Sequence, residues 1–119
     1  MSGYKYKRIF QHGYAERWDG LYERLERLEY HSPRYDKTVI VEAGTVRDGA
    51  SGAFDIDSNS WWVHDQLCHD NVWFDGTDVT PTQAAAVVGD ILADEGRWFR
   101  RLTWPIATYL FGCKHAWDN

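Results

Sequence analysis

The sequence predicts a small α+β protein, with an antiparallel β-sheet in the N-terminal half followed by about three helices. Three observations predict this class. The β-branched run Lys37–Glu42 lies between turn-forming residues, which is typical of a strand. The pair Thr80-Pro81 is typical of a helix start, and apolar segments of helical length lie on both sides of it. The 119 residues suit one domain, residues 1–119, with a single core.

Short strands are expected before the β-branched run. The segment Tyr4–Phe10 alternates polar and apolar side chains, as a half-buried strand does. The next segment is ambiguous, because Leu21, Leu25 and Leu28 have helical spacing. In contrast, Glu29–Pro33 and the strand that follows favour hairpin strands. From these residues alone, both alternatives stay open.

Two helices are predicted in the middle of the chain. The run Ser60–Val72 suits a helix that is capped by Ser58 or by its own first residue. The second helix begins with Thr80 as the hydroxyl cap and Pro81 in the first turn, and it continues to Gly96.

A third helix is predicted near the C terminus. The segment Trp98–Phe111 is apolar, but Pro105 interrupts it. The helix is therefore expected to begin at this proline and to end at Gly112. The segments Gly52–Ser60 and Phe74–Asp78 are predicted as loops between the regular elements.

Acidic residues are concentrated in the segment Asp48–Gly96, which contains no Lys or Arg. Its ten acidic residues are Asp48, Asp55, Asp57, Asp65, Asp70, Asp75, Asp78, Asp90, Asp94 and Glu95. Ten acids without a base give this segment a formal charge of -10, whereas the whole chain has -5. Crowded carboxylates repel one another unless they are solvated, protonated or bridged by a cation. A functional site is therefore expected in this segment.

The charge distribution also bears on the partners of the protein. The net charge is negative and no concentrated basic run occurs, which disfavours nucleic acid as a partner. No apolar run approaches membrane-spanning length, and the charged N terminus is unlike a secretory signal. Two mildly basic ends flank the acidic middle. They either hold the middle within the fold or steer a partner of matching polarity.

The adjacent pair His64-Asp65 lies in the first predicted helix of the acidic segment. An imidazole with an ordinary pKa of about 6.5 can act as a general base near neutral pH. The neighbouring carboxylate can hold a metal ion that polarises a substrate. His64 and Asp65 are therefore the candidate catalytic residues, and the alternative is an adjacent pair that occurs by chance.

Four carboxylates are candidate ligands of a hard cation such as Ca2+: Asp48, Asp55, Asp57 and Asp65. The spacing in Asp55–Asn59 resembles the first half of a calcium loop, in which alternate residues converge on one ion. Ser60 replaces the Gly of the EF-hand pattern and Gln66 replaces its Glu, so an EF-hand is excluded. A simpler oxygen site is one interpretation, and a solvated polar loop is the other.

The two cysteines permit several interpretations. Cys68 lies one turn after His64 on the same predicted helix face, so a zinc site with a third ligand is conceivable. This pair lacks the rest of a tetrahedral set, so packing of Cys68 in the core is preferred. Cys68 and Cys113 are expected to be buried free thiols, with a disulfide as the alternative.

Five segments together carry a resemblance to a known family: Val39–Gly44, Arg47–Ser51, His64-Asp65, the helix from Thr80, and Tyr109–Trp117. Their order resembles that of a family of short phage and prophage proteins of unknown function, over about residues 17–117. In that family, the region aligned with Tyr22–Tyr30 is a strand. The resemblance therefore implies hairpin strands for the ambiguous segment.

That family is faintly similar to secreted phospholipases A2, in which a calcium-binding loop precedes a helical His-Asp pair. A second helix in those enzymes supplies an Asp that orients the His. The similarity implies that His64 is the base for a water and that Asp65 is a calcium ligand. Three positions depart from the pattern: Gly52-Ala53, Cys68 and Ala85. Ala85 stands near the place of the orienting Asp, and a base without this orientation is less effective.

The sequence therefore supports two hypotheses about function. The favoured one is a phage-encoded virion component or accessory binding protein without catalysis, in the host cytoplasm or the virion. Its partner is a virion or host protein, or further copies of the chain. Ser51, Trp61 and Trp62 are the candidate binding residues, since Trp is enriched at interfaces. The alternative is a calcium-assisted hydrolase with His64 as the general base.

Overall fold

The computed structural model describes residues 5–47 and 58–96. In these two ranges, the chain forms six strands and two helices. In chain order, they are β1 (Arg8–Phe10), β2 (Tyr14–Glu16), β3 (Tyr22–Arg24), β4 (Leu28–Ser32), β5 (Lys37–Val41), β6 (Val46–Arg47), α1 (Ser60–Asp70) and α2 (Pro81–Asp94). The strands precede the helices, so the described part of the chain has a mixed α+β fold.

The strands form two antiparallel sheets. One sheet has four strands in the order β1-β2-β3-β6, and the other pairs β4 with β5. The prediction of a single sheet followed by about three helices is therefore wrong. The described ranges contain two helices, and the segment expected to form the third, Trp98–Phe111, lies outside them.

The segment Tyr22–Tyr30 contains strand β3 and most of strand β4, which confirms hairpin strands rather than a helix. In β3, the side chains of Tyr22 and Arg24 are buried and the residue between them is less so, which is the two-residue period of a strand. The backbone N-H of Leu25 then donates to the Gly13 carbonyl at 2.9 Å. The backbone N-H of Glu26 donates to the same carbonyl at 3.2 Å, so two residues face one at the end of β3, as in a β-bulge.

Both helices begin where the sequence predicts, but their caps differ. At α2, the Gln83 N-H donates to Thr80 Oγ1 (3.1 Å) and the Thr80 N-H donates to Gln83 Oε1 (3.0 Å), which is a capping box. At α1, the N-cap residue is Asn59, and its side chain makes no capping bond. Ser58 Oγ accepts the Ser60 N-H instead, at 3.0 Å. Neither of these two described helices is long and apolar enough to cross a membrane.

Among the described residues, helix α1 packs against both α2 and β5. One core cluster joins α1 and α2 to β5, and includes Val39, Val63, Leu67, Trp73 and Val87. The other cluster joins the same helices to the four-stranded sheet, and includes Phe10, Tyr14, Tyr22, Trp61, Trp62 and Leu92. Helix α1 therefore contributes residues to both clusters, and most of its side chains are buried.

Ion pairs connect the strand region to the acidic helical region. Three basic residues of residues 34–47 each pair with an aspartate: Arg34 with Asp90, Lys37 with Asp75, and Arg47 with Asp65. Partly exposed pairs of this kind contribute about 0–1 kcal/mol each. They neutralise part of the acidic segment inside the fold.

Candidate functional site

The predicted site residues are divided between the described ranges and the rest of the chain. Four of them lie outside the described residues: Asp48, Ser51, Asp55 and Asp57. The other four lie on α1: Trp61, Trp62, His64 and Asp65. The convergence of these two groups therefore stays a prediction, and the geometry of the site is that of the α1 residues.

The His64 side chain points into the core and is only 7% exposed. Burial lowers the pKa of this imidazole from 6.5 to about 4, because the charged form would lose its hydration. Cys68 Sγ lies 3.6 Å from both ring nitrogens, which indicates contact with the ring rather than a hydrogen bond aligned with one nitrogen. A buried imidazole with this pKa is a weak base near neutral pH.

Cys68 is buried and disulfide-bonded. The expectation of a free thiol at this position is therefore wrong. Zinc is bound by a thiolate, and a sulfur in a disulfide has none. The zinc interpretation of His64 and Cys68 therefore loses one of its two ligands, while Cys113 lies outside the described residues.

The Asp65 side chain lies at the surface of α1 and is bound by Arg47 of β6. Arg47 Nε donates to Asp65 Oδ2, and Arg47 Nη2 donates to Gln66 Oε1 at 3.1 Å. The guanidinium thus already supplies a positive charge to this carboxylate. Within residues 5–47 and 58–96, no group of three or more His, Cys, Asp or Glu side chains could hold a metal ion.

Trp61 and Trp62 are buried in the aromatic core cluster, with exposed fractions of 5% and 1%. The Trp62 ring meets the Tyr14 ring edge to face, with their centroids 5.5 Å apart. The Arg24 guanidinium lies 5.4 Å from the centroid of the same Trp62 ring. These contacts assign both tryptophans to packing, since a partner would have to open the core to reach them.

A buried polar cluster joins the start of α1 to the end of α2. Ser58 Oγ donates to Glu95 Oε1 at 2.6 Å, and the Asn59 N-H donates to Glu95 Oε2 at 2.9 Å. His12 Nε2, in the turn between β1 and β2, lies 3.5 Å from Glu95 Oε2. Ser60 Oγ lies 2.7 Å from Ser58 Oγ and completes the cluster.

This cluster contains Ser, His and Glu, but in an order that does not suit nucleophilic catalysis. In a catalytic triad, the His lies between the nucleophile and the acid. Here Glu95 lies between Ser58 and His12, and Ser58 is fully buried. The cluster instead satisfies polar groups at the start of α1, where a helix has N-H groups without intrahelical partners.

Glu95→Ala is expected to lower the free energy of unfolding by about 1–3 kcal/mol, because it leaves the Ser58 hydroxyl and the Asn59 N-H without their acceptor. Urea denaturation measures the loss. The matched control is Asp94→Ala, which removes an exposed carboxylate one residue away and should change stability by less than about 0.5 kcal/mol. Equal losses in the two variants would contradict the capping role of Glu95.

The described surface exposes three large apolar side chains, Ile9, Trp18 and Phe74, at 67%, 57% and 71%. Two of them share a local sequence, since Trp18-Asp19-Gly20 and Phe74-Asp75-Gly76 both read aromatic-Asp-Gly. Neither residue is among the predicted binding residues. The repeated tripeptide is the signal in the sequence that marks both positions.

The two tripeptides form the same kind of turn, and we call them the Trp18 turn (residues 17–21) and the Phe74 turn (residues 73–77). The two glycines have φ of +86° and +87°, a conformation that favours glycine. Each glycine N-H donates to the carbonyl three residues earlier, at 3.1 and 2.9 Å. Each Asp Oδ1 accepts the N-H two residues later, at 3.0 Å in both turns.

A basic residue is paired with the Asp of each turn. Arg17 Nη2 lies 2.8 Å from Asp19 Oδ2, and Lys37 Nζ lies 2.7 Å from Asp75 Oδ2. The hydrogen bonds from Lys37 and Thr77 hold the pKa of the Asp75 carboxyl well below its usual range. Hydrogen bonds therefore already fix the backbone that carries the exposed aromatic side chain in both turns.

A shallow cleft of about 450 Å³ lies beside the Trp18 turn. It is lined by Lys5, Tyr6, Arg17, Trp18, Asp19 and Glu23. Tyr6 Oη donates to Glu23 Oε2 at 3.1 Å, so one wall is tied to the sheet. The cleft therefore combines aromatic and charged side chains on a hydrogen-bonded base.

Comparisons with protein-family models, with curated proteins and with solved structures found no match to this chain. Its function is therefore inferred from its own geometry. The α1 residues offer an enclosed imidazole, a carboxylate held by arginine and two core tryptophans. Of the three exposed large apolar side chains of the described residues, two lie at the aromatic turns, and one of these turns lines the cleft.

Proposed function

We propose that this protein acts by binding, as a phage-encoded virion component or accessory protein, and that it does so without catalysis in the host cytoplasm or the virion. The observation that carries the proposal is the state of His64, which is 7% exposed with its pKa lowered to about 4. A general base must reach the proton that it removes and must have a pKa near the working pH. The phage origin is supported by the order of the sequence motifs.

The two aromatic turns supply the binding chemistry. Exposed aromatic side chains such as Trp18 and Phe74 bury a large area when a partner covers them. Binding residues that are already held in one conformation lose less entropy on association. The hydrogen bonds of both turns hold the backbone at Trp18 and Phe74 in one conformation before a partner binds.

Co-purification during phage growth tests the binding role. Tagged wild-type protein should be recovered in a constant ratio with purified particles or with one host protein. The variant Trp18→Ala/Phe74→Ala should be recovered at least about tenfold less, because aromatic hot spots contribute about 2 kcal/mol or more each. His64→Gln is the control and should bind like the wild type. Equal recovery of the double variant and the wild type would contradict the proposal.

Calcium up to millimolar concentrations is expected to change neither the Trp fluorescence nor the melting temperature. Asp65 is bound by Arg47, and the neighbouring Trp61 and Trp62 are buried in the core. A calcium titration followed by both signals measures this, with EDTA-treated protein as the reference. A saturable change that disappears in Asp65→Asn would restore a calcium-dependent role for this residue.

A further inference from the structure

The disulfide at Cys68 is a covalent feature that the proposed binding role does not use. Cys68 lies on the buried side of α1, is 8% exposed, and belongs to the core cluster that includes Val63 and Leu67. The sequence contains one other cysteine, Cys113, which follows 45 residues later. A disulfide within one chain therefore joins these two positions and closes a loop of this length.

A buried disulfide is informative about the redox environment of a protein. Disulfides persist in oxidising surroundings such as the surface of virions, whereas glutathione and thioredoxin keep cytosolic thiols reduced. A disulfide in a core also resists reduction once it has closed, because an attacking thiolate must reach one of its sulfur atoms. The binding role leaves two locations open, the host cytoplasm and the virion, and the closed disulfide at Cys68 favours the virion.

The surroundings of Cys68 also suit a reduced chain. Its Sγ atom lies 3.6 Å from both Nδ1 and Nε2 of the buried His64 ring. Burial lowers the pKa of this imidazole to about 4, so the ring is neutral at neutral pH and one of its nitrogens is an acceptor. A Cys68 thiol can donate its S-H to that nitrogen, which avoids a buried donor without an acceptor. Helix α1 can therefore fold before the disulfide closes.

We propose that closure of the disulfide at Cys68 is a maturation step, in which the chain folds with reduced cysteines in the host cytoplasm and becomes oxidised in the virion. The proposal rests on the binding role proposed above and selects the particle, rather than a cytoplasmic host protein, as the partner. Until closure, His64 holds the Cys68 thiol inside the core.

The oxidant in this step is a small-molecule disulfide of the glutathione class. The thiolate of one cysteine attacks it, which forms a mixed disulfide and releases one small thiol. The thiolate of the second cysteine then attacks the cysteine sulfur of the mixed disulfide and releases the second small thiol. Two electrons pass from the cysteines to the oxidant, and the released thiols take up the two protons that the cysteines lose.

Thiol trapping during phage growth tests where the disulfide closes. Infected cells and purified particles are quenched with acid, and free thiols are then labelled with a maleimide that adds mass to the chain. Both cysteines should be labelled in the cytoplasm, and neither in the particle unless a reductant is added after denaturation. Cys113→Ser is the matched control, since its Cys68 should be labelled in both fractions. Labelled cysteines in the particle, unlabelled cysteines in the cytoplasm, or absence of the chain from particles would each overturn the proposal.

Melting temperatures of the purified chain with and without dithiothreitol test whether both redox states fold. The reduced wild type should keep the circular dichroism spectrum of the oxidised form and melt about 8–16 °C lower, because no disulfide restricts its unfolded chain. Cys113→Ser should melt with the reduced wild type and should not respond to dithiothreitol. An unfolded reduced chain, or a melting temperature that dithiothreitol leaves unchanged, would contradict the proposal.

The binding role and the disulfide proposal can fail separately. Recovery of the chain with a host protein alone, lost in Trp18→Ala/Phe74→Ala, would retain the binding role and overturn closure in the particle. Equal recovery of that double variant and the wild type would contradict the role of the aromatic turns. The labelling and the melting temperatures would still report the state of Cys68, since neither measurement depends on those turns.

Discussion

Trp62→Ala is expected to lower the free energy of unfolding by about 3–5 kcal/mol, which is the largest loss predicted for a single side chain of this protein. The ring is 1% exposed and lies at the centre of the aromatic cluster. Its removal leaves a cavity between α1 and the four-stranded sheet and takes away the edge-to-face contact with Tyr14. The buried Arg24 guanidinium also loses the ring that lies against it.

Guanidinium denaturation followed by circular dichroism measures this loss. Small domains have a total stability of about 5–15 kcal/mol, so Trp62→Phe is a second variant that should remain folded with a smaller loss. Trp18→Ala removes the same kind of side chain from the surface and should change stability by about 0.5 kcal/mol or less. Similar losses at positions 18 and 62 would contradict the assignment of Trp62 to the core.

The stability of the protein is expected to fall by about 3 kcal/mol between neutral pH and pH 4 through His64 alone. The pKa of this imidazole is lowered from 6.5 to about 4 in the fold, so the unfolded chain binds its proton first as the pH falls. The contribution is complete above pH 6.5 and is lost as the pH decreases toward 4. Protonation of His64 in the folded state would place a charge among buried groups, which is unfavourable.

Urea midpoints at several pH values, for the wild type and for His64→Gln, isolate this contribution. Other acid-sensitive groups remain in both proteins, such as Asp75 with its low pKa and the Arg47–Asp65 pair. Their effects cancel in the difference between the two profiles. The difference should change by about 3 kcal/mol across this range. Parallel profiles would show that His64 has the same pKa in the folded and unfolded chains.

Elements with strong local signals were predictable from the sequence. The β-branched run gave strand β5, Lys37–Val41, because such side chains suit a pleated surface in most contexts. Helix α2 begins at Pro81 with the predicted cap, since the cap is a local interaction between residues three apart. Helix α1 also begins at the predicted Ser60.

Short strands were the elements that local patterns could not show. Strands β2 and β6 have three and two residues, which is too few for a visible alternation. The strand expected over Tyr4–Phe10 forms only at Arg8–Phe10 within the described residues. The division into two sheets reflects pairings between residues distant in sequence, such as β3 with β6, which local patterns do not show.

The candidate site could be predicted only in part, for the same reason. A His next to an Asp on a helix is visible in the sequence, and its burial is not. The burial of His64 depends on α2 and the sheets, which pack against α1 in two core clusters. The pairing of the Asp65 carboxylate depends on Arg47, which lies eighteen residues earlier in the chain. Such long-range contacts decide whether a reactive pair is accessible, and no local pattern records them.

The aromatic-Asp-Gly turns have a consequence for how this molecule can change over evolutionary time. The hydrogen bonds that close each loop come from main-chain groups and from the aspartate, while the ring at the second position projects outward. Replacement of that ring therefore alters the exposed surface without removing the hydrogen bonds that form the turn. The side chains at positions 18 and 74 can therefore vary independently of the core, because neither is part of a core cluster.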